Sequence, residues 1–103
     1  MAGTLYIAEY AEVHQGAAGR VGQAPNEPPL VEQTVAIGGS STQSAAFNVQ
    51  TRLVRIHCDN ICSIVFGTNP TALATNQRFA AGQTEFKGVP PGQGFKVAVI
   101  QNV

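Results

Sequence analysis

The chain has 103 residues and a mass of 10.8 kDa, which predicts one domain with a single small core. Six basic and six acidic side chains balance to zero, and only 12% of the residues are charged, against roughly 25% in an average globular domain. This neutrality argues against nucleic acid as a partner, because phosphate binding needs clustered lysine and arginine. No run approaches the ~18 apolar residues of a membrane span, so no membrane partner is expected.

The low charge also predicts that much of the surface is covered by copies of the chain or by a larger assembly, since net charge keeps free proteins apart. A monomer solvated by its many Thr, Gln, Asn and Ser side chains is the alternative. The first residues, MAGTLYIAEYAE, lack the basic stretch of a signal peptide. Two cysteines without an export signal predict free thiols in a reducing compartment.

Residues 4–13 alternate in the manner of a strand with two largely apolar faces, with Leu5 and Ile7 on one side and Tyr6 and Tyr10 on the other. The segment 14–30, HQGAAGRVGQAPNEPPL, is rich in glycine and proline, which oppose any regular element. A structureless connection of this length is unusual in a compact domain. The segment is therefore predicted to be a functional loop or an arm that reaches a neighbouring subunit.

Short runs of β-branched and aromatic residues, separated by turns such as GGSST and GVPPGQG, continue to the end of the chain. Strands are predicted at 31–37, 45–49, 51–58, 61–66, near the end of 67–79, at 84–87 and at 95–100. No window has helical apolar spacing, so helix content near nil is expected. The prediction is a single all-β domain over 1–103, a β-sandwich or jelly roll of about seven or eight short antiparallel strands.

HCDNIC, residues 57–62, raises the question of a metal or redox site. Asp59-Asn60 is predicted to be the two-residue loop of a hairpin, because Asx residues tolerate positive φ. Cys58 then lies opposite Ile61 and His57 opposite Cys62. The two sulfurs would point to opposite sides of the sheet and could share neither a disulfide nor a metal.

A three-residue loop would instead place Cys58 opposite Cys62 and would reopen the question. Even so, CxxxC beside one histidine is weak metal spacing, and His14 would have to return from a distant strand. Buried free cysteine is a common small hydrophobe. Structural cysteines and no cofactor are therefore expected.

Other catalytic arrangements find little support. His57 and Asp59 with a serine lack any motif that fixes triad geometry, and IGGSSTQS lacks the lysine ending of a phosphate loop. Glu9 and Glu12 lie three apart on a predicted strand and so face opposite ways. The expectation is a protein that is not an enzyme.

Seven aromatic residues lack interleaved basic side chains, which predicts core positions rather than base stacking; they are Tyr6, Tyr10, Phe47, Phe66, Phe79, Phe86 and Phe95. In the predicted hairpin, Arg55 and His57 share a face with Ile64 and Phe66. A face that mixes a cation, a titratable ring and large apolar groups is typical of an interface. Solvated residues over apolar neighbours are the alternative.

Three stretches resemble small virion structural proteins of tailed bacteriophages and prophages: FNVQTRLVRIHCDNICSIVFG, FGTNPTA and GQTEFKGVPPGQGFKVAVI. The resemblance covers roughly the last 60 residues. It implies a head decoration (cement) protein or another small virion component, with a jelly-roll or sandwich fold and oligomeric assembly. It implies location in the virion, assembled in a bacterial host cytoplasm, and contact with the major capsid protein or another virion protein.

The sequence analysis therefore favours a capsid decoration protein that binds through its surface and forms a homo-oligomer, for which a trimer would suit a three-fold lattice point. The predicted interface residues are Arg20, Pro28 and Pro29 in the arm, together with Arg55 and His57. A tail or neck position is an alternative. A small-molecule or carbohydrate-binding β-barrel or jelly-roll module is another, and it predicts a pocket with convergent polar groups. A metal-dependent cupin-like enzyme would need more histidines than His14 and His57.

Overall fold

The computed structural model describes residues 3–11, 13–15, 21–25 and 28–102. These residues form strands and loops, and no helix occurs among them, so none is present there that could cross a membrane. The strands in chain order are β1 (Gly3–Tyr10), β2 (Val13–Gln15), β3 (Val21–Pro25), β4 (Val31–Ile37), β5 (Thr42–Gln43), β6 (Leu53–Cys58), β7 (Cys62–Gly67), β8 (Gln77–Phe79), β9 (Thr84–Gly88) and β10 (Lys96–Gln101). The all-β prediction is confirmed.

Eight of the strands form two four-stranded antiparallel sheets. The first sheet has the order β4-β1-β6-β9 and the second the order β5-β10-β7-β8. Consecutive strands along the chain often change sheet, as in a jelly roll, where two Greek keys are wound together. The order is that of a jelly roll in which the first strand takes the place that the last one normally fills.

The core lies between the two sheets, and strict alternation of side chains builds it. Leu5 and Ile7 of β1 and Val54 and Ile56 of β6 point inward from the first sheet, while alternate residues point outward. The second sheet adds side chains of β7, β8 and β10, namely Cys62, Ile64, Phe79, Val97 and Val99. Both sheets thus bury one face in one apolar cluster, in the manner of a sandwich.

The predicted hairpin at Asp59-Asn60 is wrong. β6 pairs with β1 and β9 in the first sheet, whereas β7 pairs with β10 and β8 in the second, so residues 59–61 form an arch between sheets. Opposed pairing of Cys58 with Ile61, or with Cys62, therefore does not occur. The local sequence fits a tight turn in either case, and long-range partners decide the outcome: β1 takes the place beside β6 that β7 was predicted to fill.

Chain ends and side-chain caps hold the arch. Asp59 Oδ1 accepts a hydrogen bond from the Thr4 amide at 2.6 Å, and Asn60 Oδ1 accepts one from the Ile61 amide at 2.9 Å. The Asn102 amide donates to the Ile61 carbonyl at 3.2 Å. The Asx pair therefore has a capping role, which is the chemistry that also suits it to hairpin loops.

Part of the segment 14–30 has regular structure, which corrects the prediction that glycine and proline exclude it. β2 and β3 pair with each other in an antiparallel ribbon with a register shift, and with neither four-stranded sheet. Residues 16–20 and 26–27 lie outside the described part of the chain. The predicted strand at 45–49 is also wrong, because the short strand in this region is β5, at Thr42–Gln43.

The outer face of the second sheet is covered by the loop 68–76. Ser63 and Ala98 point away from the core on this sheet, yet both are 0% exposed. The Ser63 hydroxyl and the side-chain amide of Asn102 donate to the Ala74 carbonyl. The backbone amide of Ala72 donates to the Ser41 hydroxyl. The protein's own loop therefore covers the middle of this face, while Arg78 on β8 stays exposed.

Candidate functional site

The outer face of the first sheet is the candidate functional site, called here the open face. Tyr10, at one end of β1 on this face, is only 2% exposed, whereas the rest of the face carries exposed side chains that no described loop covers. Its exposed side chains come from all four strands of the sheet; they are Tyr6, Glu32, Thr34, Ala36, Arg55, Thr84 and Phe86. Tyr6 is 46% exposed and Phe86 is 50% exposed. Both were predicted to be core aromatics, and for these two the prediction is wrong.

Strand register arranges the open face in rows that cross the sheet. In one row Thr34, Tyr6, His57 and Thr84 lie side by side on β4, β1, β6 and β9. In the next row Glu32, Ala8, Arg55 and Phe86 lie side by side on the same strands. Because neighbouring strands are ~4.8 Å apart, each row places its four side chains along a line of roughly 14 Å.

A groove of about 840 Å³ crosses this face. Ala8 lies in its floor and is 3% exposed, and its small side chain lies between Glu32 on one side and Arg55 on the other. Tyr6, His57, Asp59 and Thr84 also line the groove. The groove therefore combines an aromatic ring with both signs of charge.

Hydrogen bonds fix the histidine side of the groove. His57 Nδ1 lies 2.7 Å from Thr84 Oγ1, and the His57 ring is tilted against Tyr6 with 6.1 Å between ring centroids. Asp59 is held by the Thr4 amide and not by the histidine. The partner of the His57 ring is thus a hydroxyl on β9. In a hydrolytic triad a carboxylate would instead accept a hydrogen bond from the ring and orient it.

The predicted interface residues divide into three groups. Arg55 and His57 do share a surface, but Tyr6 and Phe86 accompany them, whereas Ile64 and the half-buried Phe66 lie in the second sheet on its core side. Pro28 is exposed and Pro29 half-buried, just before β4. Arg20 lies outside the described residues.

The two cysteines lie on facing sheets, both 0% exposed and both free thiols. The prediction that the sulfurs point to opposite sides is wrong, because both cysteines belong to the one apolar cluster between the sheets. The Cys58 thiol donates to the Ala80 carbonyl at 3.1 Å. Burial, with smaller effects from Cys58 and Asp59, raises the pKa of the Cys62 thiol to about 12. This keeps Cys62 protonated and unreactive near neutral pH.

Across the ranges that the structure describes, no three His, Cys, Asp or Glu side chains come together in a way that could hold a metal ion. Comparison of the chain with protein-family models, curated proteins and solved structures finds no match.

Sequence reasoning missed Glu32, Ala8 and Tyr6 as members of the site. Alternation along residues 4–13 does place Tyr6 and Ala8 on one face of a strand, so the sequence indicates which residues of β1 point the same way. The sequence does not indicate which strands pair with β1, because β1 and β6 are separated by about 50 residues of chain and no local pattern encodes such a partner.

Proposed function

We propose that this chain is a non-enzymatic structural protein of a bacteriophage virion, in particular a capsid decoration protein that stabilises the assembled head through protein contacts. The main support is the contrast between the two sheet faces. One is covered at its centre by residues 68–76, and the other leaves Tyr6 and Phe86 half-exposed among charges of both signs. Aromatic residues and arginine are the types enriched in protein interfaces.

The interior supports a role in binding rather than in chemistry. Every buried side-chain nitrogen or oxygen among the described residues has a hydrogen-bond partner. The one strongly shifted thiol pKa is shifted towards the inert form. The overall neutrality and the resemblance to small virion proteins add to this picture.

Decoration would work by mass action. A protein that binds only the assembled shell stabilises it by RT ln(1 + [L]/Kd), about 2.7 kcal/mol per site when the free protein is at 100 times its Kd. Homo-oligomerisation, with a trimer suited to a three-fold lattice point, would increase the effect through simultaneous contacts. The open face and the Pro28-Pro29 arm region are the surfaces proposed to make these contacts with the major capsid protein and with other copies.

The test is the mass in solution by light scattering, for the protein alone and after addition of empty shells from a tailed bacteriophage. We expect self-association at high concentration and co-sedimentation with shells whose melting temperature rises. Binding to tail or neck assemblies instead of shells would move the protein within the virion. A strict monomer that ignores every virion assembly would contradict the proposal.

A carbohydrate- or small-molecule-binding module is the second candidate, and one observation favours it. The groove over Ala8 has the convergent polar groups that such a module requires, beside an exposed ring at Tyr6. Calorimetric titration with a glycan panel tests this candidate, with Tyr6→Ala as the variant expected to lose binding. Saturable glycan binding by a monomer would establish it and remove the structural proposal.

A further inference from the structure

We propose that the open face binds a second copy of itself about a two-fold axis that runs along β1, above Ala8. This inference rests on the proposed function, since it names the partner and the geometry of one of its contacts.

The charges on the open face are self-complementary. Ala8 is opposite Glu32 on β4 and opposite Arg55 on β6, so one acid and one base lie one strand away on either side of β1. A two-fold axis along β1 exchanges the two sides. Glu32 of each copy then faces Arg55 of the other, which gives two identical ion pairs across the axis. A two-fold contact requires this kind of reciprocity.

The neighbouring row fits the same axis. Tyr6 is opposite Thr34 and His57, so Tyr6 of one copy meets its counterpart across the axis, and Thr34 faces His57 of the other copy. Packed sheets lie ~10 Å apart, a gap that an arginine and a glutamate together bridge. The small side chain of Ala8 leaves a depression on each copy. The long side chains of arginine and glutamate can occupy this space between the two copies.

The size of the face predicts a weak contact. About this axis β4, β1 and β6 of one copy lie over β6, β1 and β4 of the other, while β9 extends beyond the partner's edge strand. Three strands at ~4.8 Å spacing and about six residues long cover a plane of roughly 300 Å², less than half of the ~800 Å² that each partner buries in a standard interface. The dimer is therefore expected to form at high concentration or within an assembly. A three-fold arrangement of copies would use other surfaces and leaves this pairing unchanged.

The test uses charge reversal, because both residues are exposed and their substitution leaves the core intact. Sedimentation velocity from about 10 µM to about 1 mM covers the affinity range of small contacts. Glu32→Arg places like charges at both reciprocal sites, and so does Arg55→Glu. Each variant alone should dimerise at least about tenfold more weakly than the unchanged protein.

Mixing the two variants gives the decisive result. A heterodimer of one Glu32→Arg chain and one Arg55→Glu chain has an opposite-charge pair at both sites, so association should return in the mixture. The double variant in one chain should also dimerise. Arg78→Glu, an equal charge change at an exposed position of β8 in the second sheet, is the control and should behave like the unchanged protein.

The outcomes separate this inference from the function that it rests on. A protein that stays monomeric at about 1 mM, or that dimerises with no effect of either reversal, overturns the two-fold contact. If such a protein still binds shells, the structural role survives without this contact. If the mixture fails to recover although each variant is weakened and folded, the reciprocal geometry is wrong.

Discussion

Glu9 is a fully buried carboxylate on the core side of β1, and three donors hold it. The Thr51 hydroxyl lies 2.8 Å from Oε1, the Asn48 amide 2.7 Å from the same atom, and Gln33 Nε2 2.9 Å from Oε2. It therefore ties the loop 48–51 and the edge strand β4 to β1. Buried charge is stable only with such partners.

We expect Glu9→Ala to lower the free energy of unfolding by about 2–4 kcal/mol, because it leaves a cavity and deprives the buried Thr51 hydroxyl of its acceptor. Glu9→Gln keeps the size and one acceptor, and should cost less. Urea unfolding of the dilute protein measures both. The control is Glu32→Ala, at an exposed position of β4. Its free energy of unfolding is expected within about 0.5 kcal/mol of that of the unchanged protein. Equal effects of Glu9→Ala and Glu32→Ala would show that the network contributes little.

The buried Cys62 thiol makes the free energy of unfolding depend on pH in the alkaline range. Its pKa is about 12 in the folded protein against an ordinary value of 9.0, so the unfolded chain loses this proton first as pH rises. The contribution is fully present below pH 9 and is lost between pH 9 and 12. The slope is at most about 1.4 kcal/mol per pH unit.

Urea unfolding across this range, compared with Cys62→Ala, isolates the effect from other titrating groups. The difference in unfolding free energy between the two proteins should shrink as pH rises. A constant difference would contradict it, and so would rapid labelling of the folded protein by a thiol reagent at neutral pH.

At the scale of elements, the strand assignments follow from the sequence where alternation is strict. The strand predicted at 31–37 is present as β4, and Val35 and Ile37, two positions apart on one face of it, are both buried. The sequence cannot specify partners. HCDNIC has a turn signal between two strong strands, and this signal suits a hairpin and an inter-sheet arch equally well. The wrong choice then misplaced Ile64 and Phe66 on the face of Arg55.

The arch leaves no room for a side chain at Gly3. A Cβ on Gly3 would meet Asp59 Oδ1 and Asn60 Cβ, the residues that cap the arch. Gly3→Ala should therefore destabilise the protein by about 1–3 kcal/mol through overpacking. Gly39→Ala is the matched control, because a Cβ there meets nothing within 4 Å. Thermal unfolding compares the two, and equal melting temperatures would mean that the β1 start yields freely.

At the scale of the whole molecule, β2 and β3 are separate from the two sheets because they pair with each other alone. Replacing 13–25 by a short glycine-serine linker should leave the strand signal of the two sheets in circular dichroism, while weakening assembly onto shells if the segment is an arm. Loss of the folded signal would place the ribbon in the folding unit. Unchanged shell binding would confine the contacts to the open face.

The loop 68–76 has a consequence for how many copies can join. Two copies that pair through their open faces turn their second sheets outward, and on each of these the loop covers the centre, where Ser63 and Ala98 lie. A third copy then finds no second open face to pack against. Face-to-face growth then ends at a pair instead of running on into a fibre. If residues 68–76 were shortened so that Ser63 and Ala98 lost their cover, the second sheet would gain a bare back, and columns of stacked copies should appear.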